Sequence, residues 1–103
     1  MPYLQINLPG HYSGEKKRDL GTRFCELYAK IMKTQSWRPN VGISELGKDN
    51  LMRIGENGPE TIIMILVEYR RGRPVEYRLD LARKLAEACK EILDVPENSV
   101  LVE

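Results

Sequence analysis

Hydrophobic and polar positions alternate from the first residues of the chain. In PYLQINLP, Pro2 to Pro9, Tyr3, Gln5 and Asn7 interleave with Leu4, Ile6 and Leu8, the period-two signature of a strand with one buried face. The period then lengthens. After the loop GHYSGE, Ser13 stands where an N-cap belongs and Glu15 to Lys17 fall in a first turn. Apolar anchors recur at Leu20, Phe24, Leu27 and Ile31, and this spacing predicts an amphipathic helix through Met32. Beyond KTQSW, the stretch RPNVGISEL reads as a second strand, while GKDNLMRIGENGPE, dense in Gly and Asn, reads as a loop or short hairpin. ETIIMILVEYR is a near-continuous run of strand formers and predicts a central strand covered on both faces. RRGRP breaks that run. A second helix follows from about Val75 to Leu93 on the anchors Leu81, Leu85, Ala88 and Ile92, and VPENSV turns the chain into a last strand, SVLVE.

The two sets of helix anchors have the same spacing, and each member of the second lies 61 residues after its counterpart in the first. Asp19 and Asp80 match at the same interval, as do Glu26 and Glu87. With the shared strand-helix-strand order, these matches indicate a duplicated β-α-β unit, with pseudo-repeats over about 2–46 and 60–103 of a single domain spanning 1–103. A crossover helix makes its flanking strands parallel and lies on one sheet face. The expected fold class is therefore α+β: a four-stranded mixed sheet with two helices on one face. The opposite face is left for other subunits to cover.

A chain of 103 residues builds one core and keeps a large surface, so oligomerisation would help it. Sixteen Lys and Arg against fifteen Asp and Glu leave a net charge of +1, which gives no general reason to bind nucleic acid or other polyanions. No apolar run reaches the roughly 18 to 20 residues needed to span a bilayer. MPYLQINLPG also lacks the basic and apolar regions of a signal peptide, so a cytoplasmic location is expected. Cys25 and Cys89 lie inside helical patterns without neighbouring metal ligands, and read as reduced packing residues.

Candidate chemistry begins with Pro2. A small residue after Met1 permits methionine removal, which leaves a free prolyl amine able to act as base and then acid. An ordinary α-amino group titrates near ~7.7 to 8, and burial or nearby cations lower that value into the range of neutral-pH proton transfer. The second feature is YRRGRP, Tyr69 to Pro74, at the junction of the central strand and the second helix. Arg70 and Arg73, three apart around Gly72, are spaced to fork a carboxylate and to depress the pKa of an adjacent amine. A solvated basic turn is the alternative reading. Tyr28 is a candidate hydrogen-bond donor to a pocket or a core-edge tyrosine, and Lys33 and Arg38 are candidate anion contacts or solvated charges near a helix end. His11 has no partners at the spacing of a metal site or triad. Trp37 lines either a pocket or an interface.

Pro2 heading the first strand, the duplicated unit and the arginine-bearing turn together resemble the tautomerase superfamily over nearly the whole chain. The two-unit length is more similar to macrophage migration inhibitory factor and cis-3-chloroacrylic acid dehalogenase than to the single-unit 4-oxalocrotonate tautomerases. The resemblance implies a homotrimer, a catalytic amino-terminal proline near a subunit boundary, and no metal or organic cofactor. RRGR resembles the dehalogenases' Arg-x-Gly-Arg turn, which assigns the substrate carboxylate to Arg70 and Arg73. Tyr28 stands where that group has a histidine, and Lys33 loosely matches a lysine of the migration-inhibitory relatives, whose cysteine-pair motif is absent. The dehalogenases' water-activating glutamate has no counterpart before Glu103. The expected activity is thus tautomerisation of a small 2-oxo or 2-hydroxy-dienoate acid, with a dehalogenase or hydratase less favoured. A trimeric binding or signalling module with incidental activity is the alternative from another class, and a ferredoxin-like ligand sensor a third.

Overall fold

The computed structural model describes residues 2–69 and 72–103. The first strand, β1 (Tyr3–Leu8), leads to a 19-residue helix, α1 (Gly14–Met32), and back to β2 (Asn40–Glu45). A hairpin of β3 (Met52–Gly55) and β4 (Gly58–Thr61) separates this half from β5 (Ile63–Val67), α2 (Val75–Leu93) and β6 (Val100–Val102). The four longer-range strands form one mixed sheet in the order β2-β1-β5-β6, with β1 parallel to β2, β5 parallel to β6, and β1 antiparallel to β5. This is the α+β arrangement expected from the alternating periods.

Local chemistry sets the ends of both helices. The Ser13 hydroxyl accepts from the backbone N–H of Lys16 at 3.1 Å, satisfying one of the orphan donors of α1. Pro74 occupies the same place before α2 without a side-chain cap, its fixed φ being compatible with helix entry. Each helix ends in a left-handed residue, Lys33 at φ 57° and Asp94 at φ 57°. Ser13 and Pro74 are 61 residues apart, and so are Lys33 and Asp94. The parallel registers agree too: Tyr3 faces Asn40 and Ile63 faces Val100, an interval of 37 residues in each half.

One core lies between the sheet and the helices. Leu4, Ile6 and Leu8 of β1 meet Ile63 and Ile65 of β5, and Leu20, Phe24, Met32, Leu81 and Leu85 close over them from the helices, all essentially inaccessible to water. Burial of each such side chain contributes about 1.5–3 kcal/mol relative to exposure. Cys89 belongs to this layer, and burial pushes its thiol up to about 12, as expected for a packing residue.

Two expectations need correction. ETIIMILVEYR is not one strand, because Glu60 and Thr61 close the hairpin and Ile62 intervenes before β5. Within one chain β5 is also covered on one face only: Ile63 and Ile65 are buried, but Leu66, pointing the other way, is 42% exposed. That open face carries a polar row as well. The Tyr3 hydroxyl donates to Gln5 Oε1, and Gln5 Nε2 donates to Ser44 Oγ at 3.0 Å and Asn7 Oδ1 at 3.3 Å. Gly42 makes room for it, since a Cβ there would collide with the Tyr3 hydroxyl.

Candidate functional site

The topology brings three stretches of chain to the start of β1. Because α1 runs back over the sheet, its C-terminal end and the turn after it return to where β1 began, while the antiparallel β5 finishes there. Pro2 is fixed at this junction. Its carbonyl accepts from Asn40 N–H at 3.0 Å, and the next carbonyl, of Tyr3, accepts from Glu68 N–H at 2.9 Å. The residue ahead of β1 is thus tied to the beginning of β2 and the end of β5.

A cavity of about 30 Å³ opens at this junction, lined by Pro2, Tyr28, Thr34, Arg38 and Arg73. Four of the residues singled out in the sequence therefore converge. Tyr28 comes from the last turns of α1 with its side chain almost wholly buried, Arg38 from the turn before β2, and Arg73 from the turn between β5 and α2, just after Gly72 at φ 86°. Among the described residues the lining contains two guanidinium groups and no carboxylate, so it favours an anion and opposes protonation of an amine beside it. A volume of this size holds about one water molecule.

The remaining candidates are not among the described lining residues. Arg70 lies outside the described residues. Lys33, the left-handed cap of α1, is absent from the cavity lining and places its Nζ 5.5 Å from the centroid of the Tyr77 ring, at the first turn of α2. His11 is highly exposed, with Nδ1 3.6 Å from Glu45 Oε1. Among the described residues no group of three or more His, Cys, Asp and Glu is arranged to hold a metal ion. None of their helices is long and apolar enough to cross a membrane.

No family model matches the sequence, and no curated protein matches it. Solved structures do match in shape. The chain superposes on Pt0534 inactivated by 2-oxo-3-pentynoate with a TM-score of 0.85 at 25% identity, covering 97% of this chain and 80% of that one. An asymmetric trimer of fused 4-OT gives 0.86 at 23% identity, with coverage of 97% and 81%. Macrophage migration inhibitory factor from Toxoplasma gondii gives 0.80 at 22% identity, with coverage of 98% and 85%. The chain has the fold of the tautomerase superfamily.

On this tautomerase-superfamily scaffold the structure adds one residue to the cavity lining that the sequence pattern did not mark for it. Thr34 lines the wall next to Tyr28, its backbone N–H donating to Ala29 O at 2.9 Å. Nothing distinguishes it in KTQSWR from an ordinary polar turn residue. Tyr69, just ahead of the arginine turn, packs against the core with the Arg78 guanidinium 5.9 Å from its ring centroid. Burial pushes its phenol above the usual tyrosine range, against the pull of Arg78 and with a smaller push from Tyr28.

A larger, open groove of about 730 Å³ runs between α1 and the edge strand β2, lined by Lys17, Gly21, Cys25, Pro39, Val41 and Ile43 among others. Its thiol, Cys25, is pushed up by burial and by Glu26 and donates toward Pro39 O at 3.7 Å, which makes it a poor nucleophile. The smaller cavity is the one that brings two arginines to Pro2.

Proposed function

We propose that the protein is a tautomerase acting on a small 2-oxo or 2-hydroxy-dienoate acid, with Pro2 as the proton-transfer group after removal of Met1. The observation that carries this reading is the convergence of Pro2, Tyr28, Arg38 and Arg73 on one cavity from separate elements of the chain. A neutral prolyl amine takes the proton from the enol hydroxyl, and the prolinium returns it to the carbon that had been part of the double bond. Arg73, assisted by Arg70, holds the carboxylate, and Arg38 adds positive potential from the opposite connection. Fixed guanidinium charges stabilise the enolate-like charge that develops between the two transfers, and more so where water is excluded. The cycle asks for a base, an acid and charge stabilisation.

A homotrimer completes this proposal. The related fused 4-OT structures are trimers, the sheet leaves Leu66 uncovered, and a cavity of about 30 Å³ is too small for such an acid unless a second subunit walls in a larger space outside it. The same small volume favours one other reading, a trimeric binding or signalling module with incidental activity.

Two measurements separate these readings. Intact mass reports whether Met1 is removed, and retention would leave Pro2 acylated and unable to act as base. Ketonisation of the enol of phenylpyruvate or of 2-hydroxymuconate is then followed for the mature protein and for Pro2→Ala. Turnover lost in the variant supports the enzyme. Equal rates in both refute a role for Pro2.

A further inference from the structure

Trp37, the single tryptophan of the chain, is 74% exposed, although it sits in a turn that also supplies Arg38 to the Pro2 cavity. Burial in the core does not account for it. Its contacts do: the Arg38 guanidinium lies 5.3 Å from the Trp37 ring centroid, and Arg38 Nε donates to Gln35 Oε1 at 3.0 Å. The backbone of the turn is closed in the same place, Arg38 N–H donating to Gln35 O at 3.1 Å. The turn thus constrains one arginine in three ways: its guanidinium lies over an indole, its Nε donates to an amide oxygen, and its backbone N–H is held by a hydrogen bond.

We infer that Trp37 is a positioning residue, a platform that holds Arg38 at the mouth of the Pro2 cavity so that its guanidinium adds its charge beside the carboxylate that Arg73 holds. The inference rests on the reading of that cavity as a carboxylate site. A free arginine side chain has many rotamers, and ordering it at the moment of binding costs affinity. Stacking on an aromatic face and a hydrogen bond from Nε remove most of that freedom beforehand while leaving the terminal nitrogens to donate. Arginine suits the arrangement because its charge persists and its planar group stacks and forks at once. Gln35 shares the task, and because Thr34 precedes it in the same turn, one connection both lines the cavity and orients its cation.

The test is a double-variant cycle on the mature protein, with phenylpyruvate and its methyl ester as substrates. Trp37→Ala raises KM for the acid about three- to tenfold, the range of an exposed to partly desolvated cation–aromatic contact. Its kcat changes little, KM for the uncharged ester stays within about twofold, and Trp37→Phe restores the acid KM. Arg38→Ala raises the acid KM at least as far and also lowers kcat, because it removes the charge itself, and the double variant is no worse than Arg38→Ala, because Trp37 acts through Arg38. Additive effects of the two substitutions, or an equal rise in KM for the ester, overturn the platform role.

Failure of the underlying site reading shows itself separately, as full turnover by Pro2→Ala. In that case Trp37 emission, titrated with pyruvate, decides the inference without turnover. A saturable change that disappears in Arg38→Ala supports the platform, and a change that survives that substitution overturns it.

Discussion

The two helices end in the same left-handed conformation on oppositely charged residues, so one substitution made at both ends has unequal effects. Asp94 is exposed at φ 57°, ψ 53°, and an L-residue there costs roughly 1–2 kcal/mol, toward the low end for Asp. Glycine removes that cost but gives back about 0.5–1 kcal/mol through the greater freedom of the unfolded chain. The carboxylate also sits at the negative end of the α2 dipole, and its removal gains about 0.3–1 kcal/mol. Asp94→Gly therefore stabilises by about 1 kcal/mol, which raises Tm by about 4–8 °C for a domain of this size. Lys33→Gly relieves the same backbone conformation but forfeits a cation at the favourable end of α1 and the contact with Tyr77 at 5.5 Å. Those losses, about 0.3–1 and 0.5–1 kcal/mol, cancel the conformational gain. Thermal melts at one fixed protein concentration, with Asp94→Asn to isolate the charge, provide the assay. A Lys33→Gly gain equal to that of Asp94→Gly, or no gain in either, refutes the reasoning.

Two further outcomes are expected. Glu45 Oε2 accepts from Tyr12 N–H at 2.8 Å and Oε1 from Lys17 Nζ at 3.0 Å, and the first of these contacts, followed by Lys17, holds its carboxyl below the ordinary value of 4.5. Its stabilising effect is complete above that ordinary value and is lost as pH falls through the lower folded one. The gap in urea midpoint between parent and Glu45→Gln should accordingly narrow below pH 4.5, and a gap independent of pH would contradict the assignment. Leu66→Glu places a charge on the open sheet face without touching the core of one chain. Sedimentation should show the parent as the proposed trimer and the variant as a folded monomer, and an unchanged oligomer would rule out that face as the contact surface.

Much of the fold was legible because each element carries its own period and punctuation. Ser13, Met32, Val75 and Leu93 mark helix ends that the structure reproduces, since capping and apolar spacing are local properties. The covering of β5 was less legible. An apolar strand reads alike whether helices or another subunit lie over its second face, and Leu66 is in the latter position or none within one chain. The candidate site was legible to the extent that its residue types are chemically unusual: a proline able to become a terminal amine, and Arg73 beside a glycine. Thr34 and the pairing of Trp37 with Arg38 were not, because their meaning comes from the path of the turn after α1. Lys33 shows the same limit in reverse, since a charge at a helix end is directed by the left-handed cap toward Tyr77, outside the cavity.

The likeness of the two halves also explains why such a chain would keep one site. Positions 61 residues after Pro2, Tyr28, Thr34 and Arg38 are Ile63, Cys89, Val95 and Ser99, and the position 61 before Arg73 is Tyr12. The nitrogen of Ile63 is a peptide amide in mid-chain and has no basicity to offer. Its side chain is buried, as is that of Cys89, whose thiol is pushed up to about 12 and stays protonated at neutral pH. No arginine occupies either equivalent position, so the two charges that line the first cavity have no counterpart in sequence at the second. Restoring one cation, for instance by Ser99→Arg, would supply attraction without proton transfer. The proposed base depends on a free amino terminus, of which a chain has one, and so duplication of the β-α-β unit doubles the scaffold without doubling the proposed chemistry.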